Sequence, residues 1–392
     1  MKEVFIVSAK RTPIGGFGGR LINYSATELG AIAIKEMLSP EKIDARSIDS
    51  VYMGNVLSAN LGQAPARQAA KFAGIANETD CTTINKVCSS GLKAVSIAAQ
   101  QIQLGLEHLI IAGGMESMSN TPHYINLRKT TKLGHEQITD GLLKDGLTDV
   151  YNNIHMGHAA EWCVSKYQIS RNQQDEFALA SYEKAKWATN NGKYKNEIIP
   201  VSIKSKPNET VIADDEDIYK IIPDKVSKLK PAFMNGGTIT AANASNISDG
   251  AAALLLASPE AIEKYQLKPL AKIVAFADAS QAPEWFTTSP SVAVSKTLNQ
   301  AKLSINDIDY FEINEAYAAV VIANQQLLNI PPDKTNIYGG SVAMGHPLGA
   351  SGARILCTLI SVLNQEGGNY GAAAICNGGG GATAMIIQNL IT

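Results

Sequence analysis

Short aliphatic runs alternate along the chain with stretches of helical spacing. Val4–Val7 and Val51–Met53 have the length and composition of buried strands, and Thr27–Leu38 between them sets Leu29, Ile32, Ala33 and Met37 on one helical face. After Gly91 the same spacing returns in Leu92, Val95, Ala98, Ala99 and Ile102. Leu109–Ala112 then predicts a strand ending at Gly113 and Gly114. Strands separated by helices predict a parallel sheet built from βαβ units.

The last third repeats this order. Ala271–Phe276 predicts a strand, Val292–Ala301 a helix and Asp309–Ile313 a strand. A Gly-rich turn leads into a helix over Ala353–Leu363, and the strand Ala372–Ile375 runs into Gly378-Gly379-Gly380-Gly381. Ser47-Ile48-Asp49-Ser50-Val51 matches Asp307-Ile308-Asp309-Tyr310-Phe311 at an offset of 260, and each half has a Ser-Gly helix start, Ser90-Gly91 and Ser351-Gly352. The pattern predicts two related α/β halves, each with its own sheet.

Residues 118–245 differ in character. They are polar, with loops predicted at Asn126–Thr131, Asn152-Asn153 and Lys204–Asn208 and one helix at Arg171–Asn190. They hold four of the six histidines together with Trp162 and Trp187. This stretch reads as an insertion that covers a site or contacts another subunit. The resulting division is 1–117 for the first half, 118–245 for the insertion, 246–267 for the end of the first half and 268–392 for the second. The acidic run Asp214–Asp217 reads as a solvated loop.

With 392 residues, 45% of them hydrophobic, the chain exceeds the roughly 250–300 residues at which single cores stop growing. Its 34 basic and 36 acidic residues leave no basic footprint for nucleic acid. The apolar run Ala251–Ala257 is far shorter than the roughly 20 residues that span a bilayer. Met1–Val7 is strand-like rather than a leader, and Asn389–Thr392 is not a peroxisomal signal, so a cytoplasmic protein is expected. Cysteines 81, 88, 163, 357 and 376 form no CxxC pair, which points to reduced thiols and no metal site.

Cys88 sits in Asn85-Lys86-Val87-Cys88-Ser89-Ser90-Gly91, a small-residue turn at a helix start. Free N–H groups and the dipole there favour a thiolate nucleophile; a buried structural cysteine is the alternative. In Gly345-His346-Pro347-Leu348-Gly349-Ala350-Ser351-Gly352 a histidine is held in a Gly-rich elbow before a helix, extended by Pro347. Cys376-Asn377-Gly378-Gly379-Gly380-Gly381 follows a buried strand, and its glycines suit a ligand lying against the main chain. No phosphate-loop or dinucleotide fingerprint is present. Asn314 follows the strand Asp309–Ile313 and reads either as a site residue or as the N-cap of a helix over Ala318–Leu328.

These segments, with Asn314-Glu315-Ala316-Tyr317-Ala318, Arg11-Thr12-Pro13 and Gly113–Ser119, resemble in order the signature blocks of the thiolase family over nearly the whole chain. The resemblance implies a five-layer αβαβα fold of two duplicated halves with an inserted loop domain, in a homotetramer. It implies acetyl-CoA C-acetyltransferase chemistry, in which two acetyl-CoA give acetoacetyl-CoA and CoA. CoA thioesters are then substrates, no cofactor or metal is required, and potassium activation is known in some relatives. By the match, Cys88 is the acyl carrier, His346 its activator and Cys376 the acid/base. The N–H groups of Cys88 and Gly378 form one oxyanion hole, and His346 with a water held by Asn314 forms the other.

The same resemblance implies CoA contacts at Leu147, His155, Met156, Phe233, Ala241, Ser245 and Ala316, with Lys220 as the nearest basic candidate. Phe286 stands in the covering loop where many bacterial relatives have methionine, and Ser89 stands where glycine is commoner, which should narrow the turn. A longer-chain 3-ketoacyl-CoA thiolase and a non-catalytic acyl-CoA carrier are the competing readings. A ketoacyl synthase would need a second histidine in place of Cys376.

Overall fold

The structure is a computed structural model describing residues 1–39, 43–128, 133–205 and 208–391. The loops predicted at Asn126–Thr131 and Lys204–Asn208 lie partly outside the described residues, as does Thr392. Among the described residues no helix is long and apolar enough to cross a membrane.

The first half contributes strands β1 (Phe5–Arg11), β2 (Ser50–Gly54), β3 (Asp80–Ile84), β4 (Leu109–Ser117) and β5 (Ser248–Ala257). The second contributes β6 (Ala271–Ser280), β7 (Tyr310–Ile313), β8 (Tyr370–Asn377) and β9 (Gly381–Asn389). Their spatial order, β7-β8-β9-β6-β1-β5-β4-β2-β3, is a near-palindrome in which β6, β7, β8 and β9 repeat β1, β2, β4 and β5. The partner of β3 is reduced to one parallel bridge between Phe311 and Thr335.

The duplication is visible in detail. Short turns at Ala45–Ser47 and Ile305–Asp307 precede β2 and β7. Asp49 Oδ2 accepts from the N–H groups of His108 and Leu109 at 2.7 and 2.9 Å. Asp309 Oδ2 does the same for Asn369 and Tyr370 at 2.7 and 3.0 Å.

Two expectations are corrected. The halves do not keep separate sheets: β1 and β6 pair through Phe5–Lys272 and Ile6–Ala271, closing two edges that would otherwise stand open. Nor is the sheet parallel throughout. β2 runs parallel with β3 and β4, and β7 with β8, but β5 and β9 run antiparallel to their neighbours. A turn as short as Gly378–Gly380 between β8 and β9 permits no crossover.

Five layers follow from the alternation of side chains. Helices α1 (Ala26–Leu38) and α2 (Pro65–Phe72) cover the outer face of the first half-sheet, and α6 (Ser289–Ala301) and α7 (Ala318–Leu328) that of the second. Between the two half-sheets lie α3 (Ser90–Gln103) and α8 (Leu348–Glu366). In β5, Leu254 and Leu256 point to this central layer while Leu255 points outward. Helix α8 is buried on every side from Leu348 to Leu363, as its central place requires.

Glycines bring α3 and α8 together. A Cβ on Gly91 would lie 2.8 Å from Ala353 N, and one on Gly352 would lie 2.4 Å from Leu92 N. The helices therefore cross backbone to backbone, and the elbows feeding them meet. Gly113 and Gly114 do not end β4, because the strand continues to Ser117. They admit a close neighbour: a Cβ on Gly114 would overlap Gly349 O at 1.9 Å. Likewise α8 starts at Leu348, five residues before the predicted start, with Gly349 and Gly352 inside it.

In the insertion, helix α5 (Arg171–Asn190) forms as predicted, capped by Ser170 and Gln173. A second helix, α4 (Met156–Tyr167), and a hairpin of Val201–Ser205 with Asn208–Ile212 occupy stretches read as irregular. The acidic run is no solvated loop. Asp215 is fully buried and binds the equally buried Arg11 guanidinium at 2.7 and 3.0 Å, while Glu197 takes Arg11 Nε at 2.6 Å.

Candidate active site

Strand β3 delivers the chain to Cys88 through a tied elbow. Asn85 Oδ1 accepts from Val87 N–H at 3.0 Å, and Ser90 Oγ accepts from Lys86 N–H at 2.8 Å while donating to Val87 O at 2.6 Å. Val87 sits at φ +48°, a region that a β-branched side chain enters only under strain. Ser89 has an ordinary φ of −77°, so the turn does not require glycine there. Its hydroxyl lies 3.1 Å from Ile375 O and 2.9 Å from Asn377 Oδ1, tying the elbow to the strand of Cys376.

Cys88 is half-buried. Burial pushes its thiol up to about 12, and the neighbouring backbone N–H groups of Cys88 and Gly378 pull the other way. The expected bias toward thiolate is therefore overturned in the resting site. Helix α3 begins at Ser90, beyond Cys88, and desolvation outweighs the two N–H groups.

The second elbow turns at Gly345, whose φ is +110° and whose Cβ, if present, would lie 2.0 Å from Ser248 Oγ. His346 is 5% exposed and donates its backbone N–H to Asn246 O at 3.0 Å. Its Nδ1 lies 2.6 Å from Ser351 Oγ, which donates to Pro347 O at 2.9 Å. The hydroxyl has one proton, and as a donor to the carbonyl it can only accept from the ring. Nδ1 therefore carries the ring proton and Nε2 has a free lone pair. Burial, and then the charge of Arg354, push the imidazole down to about 3, so it is neutral.

Asn314 Nδ2 lies 3.5 Å from His346 Nε2. Asn314 is not an N-cap. Helix α7 is entered through Tyr317, with no capping side chain, and Asn314 N–H prolongs the β7–β8 ladder to Ala374 O at 2.9 Å.

Cys376 is 1% exposed at the end of β8. Burial and the neighbouring Cys88 hold its thiol well above the ordinary range. In the loop that follows, Gly379 and Gly380 have φ of +81° and +82°, and a Cβ on Gly380 would overlap Gln281 O at 2.3 Å. The turn therefore accounts for these two glycines without a ligand. Gly378 has ordinary room, with Val87 Cγ1 at 3.7 Å from a built Cβ, and its N–H neighbours the Cys88 thiol.

A cavity of about 440 Å³ opens onto His346 and Tyr317. Leu147, His155, Lys220, Phe233, Ala241 and Ser245 line it. His155 stacks on Phe233 at 4.7 Å and caps α4 through Nδ1, which accepts from Gly157 N–H at 3.0 Å. Lys220 shares its charge with Asp217 at 2.6 Å and Glu216 at 3.3 Å.

Met156, Phe286 and Ala316 do not line this cavity; with Tyr317 they form an apolar wall packed around Cys376. Met156 instead borders a second cavity of about 550 Å³, beside Val87 and Gly378.

Several residues that serve this site were not singled out from the sequence. The Glu116 carboxylate accepts from Asn55 Nδ2 (2.8 Å), the N–H groups of Val56 and Leu57 (both 3.1 Å) and Gly349 N–H (2.8 Å), joining β4 to the His346 elbow. A lone acid closing an apolar strand was the available signal. Tyr317, buried and close enough for its phenol to feel both Cys88 and Cys376, and Ser351 lie within the motifs, where their side chains carry no signal of their own.

Residues 4–260 match the family described as thiolase, N-terminal domain, and residues 267–389 the family described as thiolase, C-terminal domain. Acetyl-CoA acetyltransferase 2 of Arabidopsis thaliana is 52% identical over 394 residues, covering 99% of this chain and 98% of its own. The crystal structure of a thiolase from Ascaris suum in complex with coenzyme A has a TM-score of 0.95 at 44% identity, covering 99% of this chain and 100% of that one. Human mitochondrial 3-ketoacyl-CoA thiolase has a TM-score of 0.96 at 38% identity, over 99% of each chain. Matched over both halves, this chain belongs to the thiolase family.

Proposed function

We propose that the protein is an acetyl-CoA C-acetyltransferase, joining two acetyl-CoA reversibly into acetoacetyl-CoA and CoA through an acetyl-Cys88 thioester. The observation that carries this reading is the meeting of three reactive groups: Cys376 packs with Tyr317, which lines one cavity with His346, and Cys88 packs beside Leu348 in the His346 elbow. The 52% identity to an acetyl-CoA acetyltransferase supports the acetyl substrate over longer acyl groups.

Cys88 gives its proton to His346 Nε2 as the sulfur attacks the acetyl carbonyl. The N–H groups of Cys88 and Gly378 receive the oxyanion, where preorganised donors are most effective. The CoA sulfur leaves with a proton from Cys376. The acyl group is thereby parked on the enzyme without a large energy change.

A second acetyl-CoA then loses an α-proton to the Cys376 thiolate. The raised pKa of this thiol makes its anion a strong base. His346, with a water on Asn314, stabilises the enolate oxygen, and the α-carbon attacks acetyl-Cys88, breaking its C–S bond and expelling the Cys88 sulfur, which takes back the proton held on His346 Nε2. The cavity lined by Phe233, Ser245 and Lys220 takes the CoA arm. No cofactor or metal enters the reaction, potassium serving at most as an activator. A cytoplasmic homotetramer completes the reading.

Incubation with acetyl-CoA should add one acetyl group at Cys88, read by peptide mass spectrometry. An unmodified Cys88 beside an active control enzyme would overturn the proposal. A kinetic series of 3-ketoacyl-CoA chain lengths should peak at acetoacetyl-CoA; a maximum at longer chains would move the assignment to a 3-ketoacyl-CoA thiolase.

A further inference from the structure

Arg354 lies in the middle of the buried helix α8, 2% exposed, with its Nη1 3.8 Å from the buried Glu312 carboxylate. Neither Arg354 Nε nor Nη1, nor either oxygen of Glu312, has a hydrogen-bond partner among the described residues. Among the described residues the one side-chain hydrogen bond of this guanidinium runs from Nη2 to Ser341 Oγ, at 3.3 Å. Ser341 Oγ in turn lies 2.7 Å from Asn314 Oδ1, and Asn314 Nδ2 faces His346 Nε2. Ser341 itself is fully buried.

Donor arithmetic gives this line of groups a direction. A guanidinium can only donate, so Ser341 accepts from Arg354 and its single proton needs an acceptor. Asn314 Oδ1 is that acceptor. With the amide turned over, Asn314 would donate to Ser341, and the hydroxyl proton would be left buried without a partner, a costly arrangement. The amide is thus fixed with Nδ2 toward the histidine. An N–H donor facing Nε2 requires a lone pair there.

We propose that Ser341 is a positioning residue which, held by Arg354, locks the Asn314 amide and so keeps His346 Nε2 unprotonated, ready to accept the Cys88 proton. The proposal rests on the reading of His346 as the base. In the absence of this lock Asn314 can present Oδ1 to Nε2. The imidazole then gains by carrying its proton on Nε2, where it cannot take one from Cys88. Ser351 alone would oppose that change.

The test compares the unmodified enzyme with S341A and S341T by two readouts. One is the single-turnover rate of Cys88 acetylation by acetyl-CoA. The other is the ¹⁵N spectrum of histidine-labelled protein, with His346 assigned by the loss of its signal in H346N.

The unmodified enzyme should show an unprotonated Nε2. S341A should acetylate about ten-fold more slowly, a fraction of what a general base contributes, with an unchanged acetyl-CoA KM and a partly protonated Nε2. S341T, which keeps the hydroxyl, should stay within about two-fold of the parent. Where S341A does not fold, S341C keeps the volume with a weaker donor and should show the same change.

A protonated Nε2 in the unmodified enzyme overturns the proposal, and so does an S341A variant with the parental rate and spectrum. Absence of Cys88 acetylation in the unmodified enzyme would instead remove the proposed function. The spectra would still decide the role of Ser341.

Discussion

The two elbows occupy equivalent places in a duplicated frame, yet they hold their reactive groups by different means. Cys88 follows the full strand β3 by four residues and is held by backbone: a strained Val87 at φ +48° and turns pinned by Asn85 and Ser90. His346 follows the single bridge at Thr335 by eleven residues, through the short helix Ser341–Met344, and is held by side chains. Ser351 and Asn314 grip the two ring nitrogens.

The difference matches what each group must present. A nucleophile that also offers its own N–H to an oxyanion needs a fixed main chain. A base needs a fixed tautomer.

The largest effect should come from the side-chain elbow. His346→Ala should lower the acetylation rate of Cys88 by about 10²–10⁴-fold, the range of a general base, with little change in KM for acetyl-CoA. A loss of less than about three-fold, in a variant with native melting behaviour, would mean that Cys88 is activated without the imidazole.

Cys376→Ser separates the steps served by the two elbows. Condensation should fall about 100-fold, while acetylation of Cys88, which draws on Cys376 only for the proton of the leaving group, should fall far less. Equal losses in both steps would remove Cys376 as the enolate base.

Not all of this was legible in the sequence. The aliphatic runs and the Ser90-Gly91 helix start carried the halves, because each is a local pattern of one element; Ser351-Gly352 lies instead within the first turn of α8. The joining of β1 to β6 and the antiparallel course of β5 and β9 were hidden, since they depend on pairings between distant segments. Gly113 and Gly114 were misread as a strand end for the same reason: the atom that requires them, Gly349 O, lies 235 residues from Gly114 in a helix of the other half.

Cys88, His346 and Cys376 stood out because reactive types lay in Gly-rich turns. Ser341 and Glu116 did not. A serine among small residues and an acid closing a strand acquire their roles from Arg354, Asn314 and Gly349. Sequence similarity to the family likewise grouped Met156, Phe286 and Ala316 with the CoA contacts, although packing places them on the wall around Cys376.

The pH dependence of Cys88 reactivity sharpens the contrast between a neutral pair and an ion pair. Burial pushes the Cys88 thiol up to about 12 and His346 down to about 3, so both are neutral over the interval between. The thiolate is the reactive form toward iodoacetamide, so the alkylation rate should rise about ten-fold per pH unit from about pH 6 to 9, without a plateau. A thiolate–imidazolium pair would give a rate already flat across that range. A plateau would show that the elbows share a proton before substrate arrives.

The smallest effect, and the most direct test of the backbone side of the comparison, is Val87→Gly. Positive φ at a β-branched residue costs about 1–3 kcal/mol, and glycine removes that cost. Against this, glycine adds about 0.5–1 kcal/mol of unfolded-chain entropy and gives up the half-buried isopropyl group, which touches the apolar patch beside Leu57 and Leu142. These terms nearly cancel, so denaturant unfolding should shift by no more than about 1 kcal/mol in either direction.

Function should not cancel in the same way. Without the branched side chain the elbow can sample conformations in which the Cys88 N–H leaves its alignment with that of Gly378. Acetylation should slow by about three- to ten-fold, as for a weakened rather than a deleted oxyanion donor. A variant that is clearly more stable and equally fast would show that the strain at Val87 is incidental. It would also show that the hydrogen bonds of Asn85 and Ser90 suffice to aim the nucleophile.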